Sequence, residues 1–261
     1  MYPIIFDFQG WPILDGLRIS SYGLMMVVAF LVCSFLLRRD FENKGLDPDL
    51  VDDMMFRAAI GGIIGAKIYY FIEFPTSFTA LLNSSSIMEA INNFGSGLVF
   101  LGGLIGGMIS VSLYVRKKNL SWLETADWAA PYLALGHAIG RIGCFLVGDC
   151  QGSECDLPWA ISFPIEAGIG IASLHPAQLY EFAAYLMIFG YLIYIRNKKT
   201  YTGLLMFEYL FLIGISRFLI EFVRINDPVL LGLTGAQVIS IIMMIIGTYF
   251  MYINRAKLRK E

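Results

Sequence analysis

Seven apolar stretches punctuate this chain, at residues 19–37, 54–74, 96–115, 122–148, 176–195, 202–223 and 230–253. Each is close to the ~20 residues that a helix needs to cross a bilayer. In hydrocarbon every backbone N–H and C=O must find its partner inside the protein, which restricts such runs to helices. The expected fold is therefore all-α, a polytopic membrane protein with seven transmembrane helices. Composition agrees, since 57% of the 261 residues are hydrophobic and 15% charged, against about 25% charged in ordinary soluble domains. The polar segments between the runs are too short for a separate globular module. The organisation reads as a membrane-surface arm over 1–18, one seven-helix domain over 19–254 and a basic tail over 255–261.

The basic residues orient these spans. Arg38, Arg39 and Lys44 follow the first run, Arg116, Lys117 and Lys118 the third, Arg196, Lys198 and Lys199 the fifth, and Arg255, Lys257, Arg259 and Lys260 the seventh. The alternate loops, 75–95 and 149–174, contain no Lys or Arg. The positive-inside rule then puts the N-terminus on the periplasmic or extracellular side and the C-terminus in the cytoplasm. The opening MYPIIFDFQG lacks a basic n-region and a small-residue cleavage site, so the expectation is that no signal peptide is removed and the first span acts as its own insertion signal. A net charge of -2 points to no nucleic-acid partner. Gly61-x3-Gly65, Gly102-x3-Gly106 and Gly103-x3-Gly107 are spacings that let helix backbones approach closely in lipid. No internal repeat of the kind that organises many transporters is present.

Polar residues inside the runs are the candidates for function, because an ionisable side chain at a span centre costs roughly 2.5–3.5 kcal/mol. Residues 136–152 read G-H-A-I-G-R-I-G-C-F-L-V-G-D-C-Q-G, placing His137 and Arg141 four apart on one helix face before a Gly-rich turn with Asp149. The fifth span opens with H-P-A-Q-L-Y-E, bringing His175, Gln178 and Glu181, and the sixth closes on Arg217, Glu221 and Arg224 at i, i+4 and i+7. Lys67, Tyr70 and Glu73 lie in the outer half of the second span and Tyr22 opens the first. Five spans thus direct polar groups to one level in the outer half of the bilayer. Guanidinium groups there exceed the acids within reach, and a lipid phosphate would supply the missing negative charge.

Plainer readings stand beside this one. Arg217 with Glu221 makes an ordinary intrahelical pair, Arg224 can anchor a helix end by snorkelling, and Tyr22 and Tyr70 suit an interfacial belt. His137 reads as a satisfied buried histidine, and Asp127 and Glu208, on the opposite side, as structural or capping residues. The four cysteines, Cys33, Cys144, Cys150 and Cys155, make no disulfide framework. Cys150 and Cys155 share a loop in which they could pair or simply pack. The C-x5-C-x4-C spacing is not a usual zinc pattern, and neither metal nor cofactor is expected.

At these residues the chain resembles the prolipoprotein diacylglyceryl transferases over essentially its whole length. Residues 21–25, S-Y-G-L-M, resemble the family's Tyr-Gly-Leu-Met opening, and residues 97–107, G-L-V-F-L-G-G-L-I-G-G, its Gly-Gly segment. Residues 140–152 resemble the signature Gly-Arg-x-Gly-Asn-Phe-x-Asn-Gly-Glu-x-x-Gly. H-P-A-Q-L-Y-E at 175–181 and Arg-x3-Glu-x2-Arg at 217–224 complete the set. The departures are Leu101 for a histidine, Cys144 and Val147 for asparagines, Asp149 for glutamate and Ile213 for a tyrosine.

The resemblance implies a bacterial inner-membrane enzyme that moves the diacylglyceryl group of phosphatidylglycerol onto the lipobox cysteine of a prolipoprotein. Arg141 and Arg217 are then the candidate catalytic cations, with His175 as base directly or through Glu181, and His137 as a weaker choice. Tyr22, Gly102, Gly103, Cys144, Asp149, Gly152, Gln178, Glu221 and Arg224 are the candidate substrate-binding residues. The implied partners are the donor lipid, the signal-peptide segment of the acceptor and the bilayer.

Four rivals remain. An intramembrane aspartyl protease would need G-x-G-D, and Leu146-Val147-Gly148-Asp149 lacks its first glycine. A rhomboid-like protease would need Gly-x-Ser-Gly, which Gly95-Ser96-Gly97 only partly echoes. An anionic-solute transporter would use the same arginines with a path through the other leaflet. A noncatalytic lipid-binding paralogue would use them without chemistry.

Overall fold

The computed structural model describes residues 2–8, 18–82, 97, 99–164 and 171–258. Its helices are α1 (Ser21–Asn43), α2 (Asp49–Glu73), α3 (Pro75–Leu82), α4 (Phe100–Lys117), α5 (Trp122–Val147), α6 (Ala177–Ile195), α7 (Leu204–Ile220) and α8 (Gly235–Leu258). Among the described residues, α1, α2, α5, α6 and α8 are long and apolar enough to cross a membrane. At 18 and 17 residues, α4 and α7 overlap the other two apolar runs but are not among the helices that meet this measure. Large apolar side chains such as Leu31, Phe35, Phe56, Ile72 and Met187 face outward, a surface suited to lipid and not to water.

The purely helical expectation needs one correction. Short antiparallel ribbons pair β1 (Ile4–Asp7) with β2 (Arg18–Ser20), β3 (Ile161–Pro164) with β4 (Ile171–Leu174), and β5 (Pro228–Leu230) with β6 (Leu233–Thr234). All lie in connecting segments, where hairpin pairing satisfies backbone groups that no helix takes up. The N-terminal arm is therefore partly strand, tied down by Tyr2 N–H to Leu146 O and Ser21 N–H to Pro3 O, each 3.0 Å. Expectations for residues 9–17, 83–96, 165–170 and 259–261, including the Gly95-Ser96 part of the protease-like triplet, lie outside the described residues.

The chain divides into two compact units, Met1–Cys33 with Ala126–Glu261, and Ser34–Thr125. In the second unit, α2 packs on α4 through the glycines that the spacing singled out. A Cβ on Gly65 would stand 2.8 Å from Gly106 Cα and closer still to the Gly102 carbonyl, so only hydrogen fits. Gly103 faces the Gly62 carbonyl of the same helix pair. Overpacking of this kind costs about 1–3 kcal/mol. Gly65→Ala is accordingly expected to lower the thermal inactivation midpoint in detergent, whereas Gly62→Ala, whose Cβ would lie 3.5 Å from Gly103 O, is expected to be tolerated. Equal midpoints for both variants would remove the close contact as a source of stability. Lys67 is buried in this unit, with its ammonium 4.8 Å from the Tyr70 ring centre and 4.9 Å from that of Phe71.

The first unit is built on an alanine stripe. Ala130, Ala134 and Ala138 repeat at four-residue spacing on α5, and all are fully buried against Tyr185, Ile188 and Leu192 of α6 and Leu205, Tyr209 and Ile213 of α7. Small side chains let the three helices come close, and dispersion between them replaces a hydrophobic drive that lipid does not supply. Gly214 of α7 makes room for α8, since a Cβ there would meet Ser240 O at 2.9 Å. Asp127 is the cap expected of it. Its carboxylate accepts from the N–H groups of Gly203 (2.6 Å) and Met206 (3.1 Å) at the start of α7, and Lys199 lies 3.4 Å away. Gly203 has no side chain with which to cap α7 itself, so α5 provides the acceptor. Glu208 shares a cavity of about 420 Å³ with Lys198 and Arg255 at this same end.

Candidate active site

At the other end of α5 the helix stops on Gly148, whose φ of 91° is left-handed. The N–H groups of Gly148 and Asp149 both return to Cys144 O, at 3.0 and 3.1 Å, a glycine C-cap of the Schellman kind. This stop turns the chain aside and leaves Arg141, two turns back, facing the N-terminal turns of α6. There Gln178, Glu181 and Tyr185 form one buried stripe. The last turn of α7 contributes Arg217, and the 3-10 turn after it (Glu221–Val223) contributes Glu221.

Glu181 is the hub. Its side chain is 0% exposed, one oxygen pairs with Arg141 Nε, and the other accepts from Arg217 Nη1 at 2.7 Å with Arg224 Nη1 at 3.7 Å. Glu221 forms the second acidic node, 2.9 Å from Arg217 Nη2 and 3.8 Å from Arg224 Nε. Its other oxygen accepts from Asn226 Nδ2 at 2.7 Å and Thr234 Oγ1 at 2.8 Å. A buried charge is tolerable only when paired, and here three guanidiniums meet two carboxylates. One formal positive charge is left over. Nε and Nη1 of Arg224 are buried and have no hydrogen-bond partner among the described residues.

A loop is clamped over this cluster. Gly152 N–H donates to His175 O (2.9 Å), Ser153 N–H to Val223 O (2.8 Å), and His175 N–H to Ser153 O (3.0 Å), while Gly152 and Arg224 form an antiparallel bridge. A Cβ on Gly152 would lie 2.5 Å from His175 Cβ and 2.6 Å from Val223 O, so this position is closed to any side chain. Fully buried Gln178 donates through Nε2 to the Asp149 carbonyl, and its own amide oxygen is buried without a hydrogen-bond partner among the described residues. The Asp149 side chain is exposed. Its backbone, not its carboxylate, does the holding.

Tyr22 of α1 packs on Gly143, where a Cβ would meet its Cα at 3.3 Å, and it faces Arg141 and Cys144. Cys144 Sγ is 3.8 Å from Arg141 Nη1. The four cysteines are free thiols, and Cys150, a left-handed residue with φ of 63°, meets Cys144 and not Cys155. The hydrogen bond from Cys144, with the guanidiniums of Arg224 and Arg141 behind it, outweighs burial and lowers the Cys150 thiol below its ordinary value. A lowered value raises the share of reactive thiolate, which falls again as pH falls. Cys150 is therefore expected to alkylate faster than Cys155 with iodoacetamide at neutral pH, and to slow as pH falls. Equal rates would show that neither the Cys144 hydrogen bond nor the arginines act on this thiol.

The structure thus gathers Tyr22, Arg141, Cys144, Gly152, Gln178, Glu181, Arg217, Glu221 and Arg224 around one point. His175 lies at the loop clamp with Nδ1 3.2 Å from Tyr180 Oη, which in turn accepts from Trp159 Nε1 at 2.8 Å. His137 sits deeper, between Tyr185 and Tyr209, with Nδ1 3.4 Å from Tyr209 Oη. Gly102 and Gly103 belong to the other unit, where they pack on α2. Sequence reasoning missed Tyr185, which hydrogen-bonds Arg141 and was legible as the residue one helical turn after Glu181. It also missed Asn226 and Thr234, whose positions in a loop and at a helix start carry no such signal.

The sequence profile described as prolipoprotein diacylglyceryl transferase matches residues 11–253. The phosphatidylglycerol–prolipoprotein diacylglyceryl transferase of Clostridium tetani is 33% identical over 258 residues, covering 98% of each chain. The corresponding transferase 2 of Clostridium perfringens is 34% identical, over 94% of this chain and 95% of its own. The Aeromonas hydrophila transferase is 34% identical, over 92% of this chain and 88% of its own.

Proposed function

The chain belongs to the prolipoprotein diacylglyceryl transferase family, and from that premise we propose how its buried arginine cluster works. The protein is a membrane-bound transferase that moves the diacylglyceryl group of phosphatidylglycerol onto the cysteine thiol of a prolipoprotein. The observation that carries this reading is the excess of three guanidiniums over two carboxylates on Glu181 and Glu221. A phosphodiester carries the single negative charge that the cluster lacks.

The reaction is displacement at a saturated carbon. The acceptor sulfur forms a C–S bond to the terminal methylene of the diacylglyceryl group, the C–O bond to phosphate breaks, and glycerol phosphate leaves with the electron pair. Arg141 and Arg217, with Arg224, hold the phosphate and stabilise charge growing on the departing oxygen, in a setting where desolvation strengthens each interaction. Glu181 positions all three arginines. The thiol must lose its proton to attack, and His175 is the assigned base. In the tautomer whose Nδ1–H donates to Tyr180 Oη, Nε2 is the nitrogen that takes the proton. Asp149, Gly152 and Gln178 hold the loop over the site, and Tyr22 and Cys144 border it. Gly102 and Gly103 retain their assignment to substrate binding on family resemblance alone.

The same reading takes residues 19–254 as one seven-span catalytic domain in the bacterial inner membrane, with the basic loops cytoplasmic. Arg141, Glu181 and Arg217 then lie toward the outer leaflet, where an exported precursor presents its lipobox. Incubating the purified protein with labelled phosphatidylglycerol and a lipobox peptide tests the function, with a thioether-linked diacylglyceryl peptide as the expected product. Lipid binding without product would point to a noncatalytic paralogue, and solute flux in proteoliposomes without product to a transporter.

A further inference from the structure

A cavity of about 300 Å³ opens beside the arginines, lined by Arg217, Glu221, Arg224, Asn226, Asp227 and Thr234 together with the first residues of α8. We propose that this cavity receives the polyol end of the donor headgroup, and that Asn226 and Asp227 determine specificity for a hydroxylated donor. The proposal rests on the transferase reading above and assigns the part of the substrate that departs with the phosphate.

Its volume is at the small end of ligand sites, fit for a headgroup fragment and too small for an acyl chain. Arg217 and Arg224 stand in its wall, so a phosphate held on them has its headgroup substituent at the cavity mouth. The polar inventory of the wall is mixed. Nε and Nη1 of Arg224 are buried donors with no hydrogen-bond partner among the described residues, where the carboxylate oxygens of Glu221 and Glu181 are 3.8 and 3.7 Å away. Thr234 and Gln237 cap α8 reciprocally, Thr234 N–H to Gln237 Oε1 at 3.1 Å and Gln237 N–H to Thr234 Oγ1 at 3.3 Å. That leaves the first-turn amides of Gly235 and Ala236, which also line the cavity, as further donors. Acceptors come from Asp227, exposed at the rim, and from Asn226, whose Nδ2 is committed to Glu221 and whose amide oxygen is not.

Hydroxyl groups both donate and accept, so a polyol can answer both halves of this wall. An alkyl headgroup would leave the buried Arg224 donors unanswered. A site built to bind a hydroxyl rejects an analogue that lacks it, because its own polar groups are then stranded.

The test is kcat/KM for transfer to a lipobox peptide from phosphatidylglycerol and from phosphatidylpropanol, a donor of matched size without hydroxyls, with the full-length wild type and the Asn226→Ala and Asp227→Ala variants. The wild type is expected to prefer phosphatidylglycerol by about tenfold or more, the worth of one or two hydrogen bonds. Each variant is expected to show most of its efficiency loss on phosphatidylglycerol, chiefly through KM, so that the preference falls toward one. An unchanged preference, or equal loss with both donors, would overturn the cavity assignment while leaving the transferase reading standing. No product from either lipid with the wild type would overturn both.

Discussion

Arg141→Ala is expected to lower kcat/KM for diacylglyceryl transfer by about two to three orders of magnitude, the range seen when a single preorganised charge stabiliser is removed. Arg141 reaches Glu181 from α5, whereas Arg217 and Arg224 reach it from α7 and the chain that follows. Without Arg141 the count becomes two guanidiniums against two carboxylates, and the surplus that attracts a phosphodiester is gone. Arg141→Lys is expected to recover only part of the rate, because an ammonium keeps the charge but loses the planar fork that serves a carboxylate and a phosphate together. Steady-state transfer and phosphatidylglycerol binding, measured on the same preparations, check this. A purified Arg141→Ala protein that forms product at the wild-type rate would remove this residue from the chemistry.

Glu181→Ala should act in the opposite electrical direction with a larger structural penalty. Its carboxylate is the common partner of three arginines and is fully buried. Removing one member of such a cluster strands buried like charges, at a cost of about 3–5 kcal/mol. The expected result is a marked fall in the thermal inactivation temperature together with loss of transfer. Glu181→Gln, which keeps the shape and a hydrogen-bond acceptor, is expected to retain more stability than activity. Wild-type stability in Glu181→Ala would show that the arginines find their charge balance elsewhere. The lowered Cys150 thiol belongs in part to the same account, because behind the hydrogen bond from Cys144 the guanidiniums that await a phosphate also lower it.

Much of this organisation was readable from the residues alone. Apolar runs of bilayer length determined helices, since no other backbone conformation satisfies itself in hydrocarbon, and each run overlaps one helix, with ends that shift by up to six residues, as at Asn43 of α1. The Gly61-x3-Gly65 and Gly102-x3-Gly106 spacings announced a close helix pair, and Asp127, a carboxylate at a helix-start depth, announced a cap. The three arginines were identifiable because an ionisable group in a span needs a reason to be there. Connecting segments were less legible, and the short ribbons in them, including the one formed by the N-terminal arm, depend on which strand ends happen to meet.

What only the tertiary structure decided is how those charges are shared. Residue spacing reveals intrahelical partners such as Arg217 and Glu221, whose separation is set by helix geometry. It is silent on pairs made across helices, and so it could not name Glu181 as the common partner of Arg141, Arg217 and Arg224, or Gln178 as the clamp on the Asp149 carbonyl. Nor could it join Asn226 and Thr234 to Glu221. Sequence determined which groups had to escape the lipid, because that cost belongs to each residue singly. The fold decided which groups they escaped to, because a pairing energy exists only once two chain segments have been brought within a few ångströms.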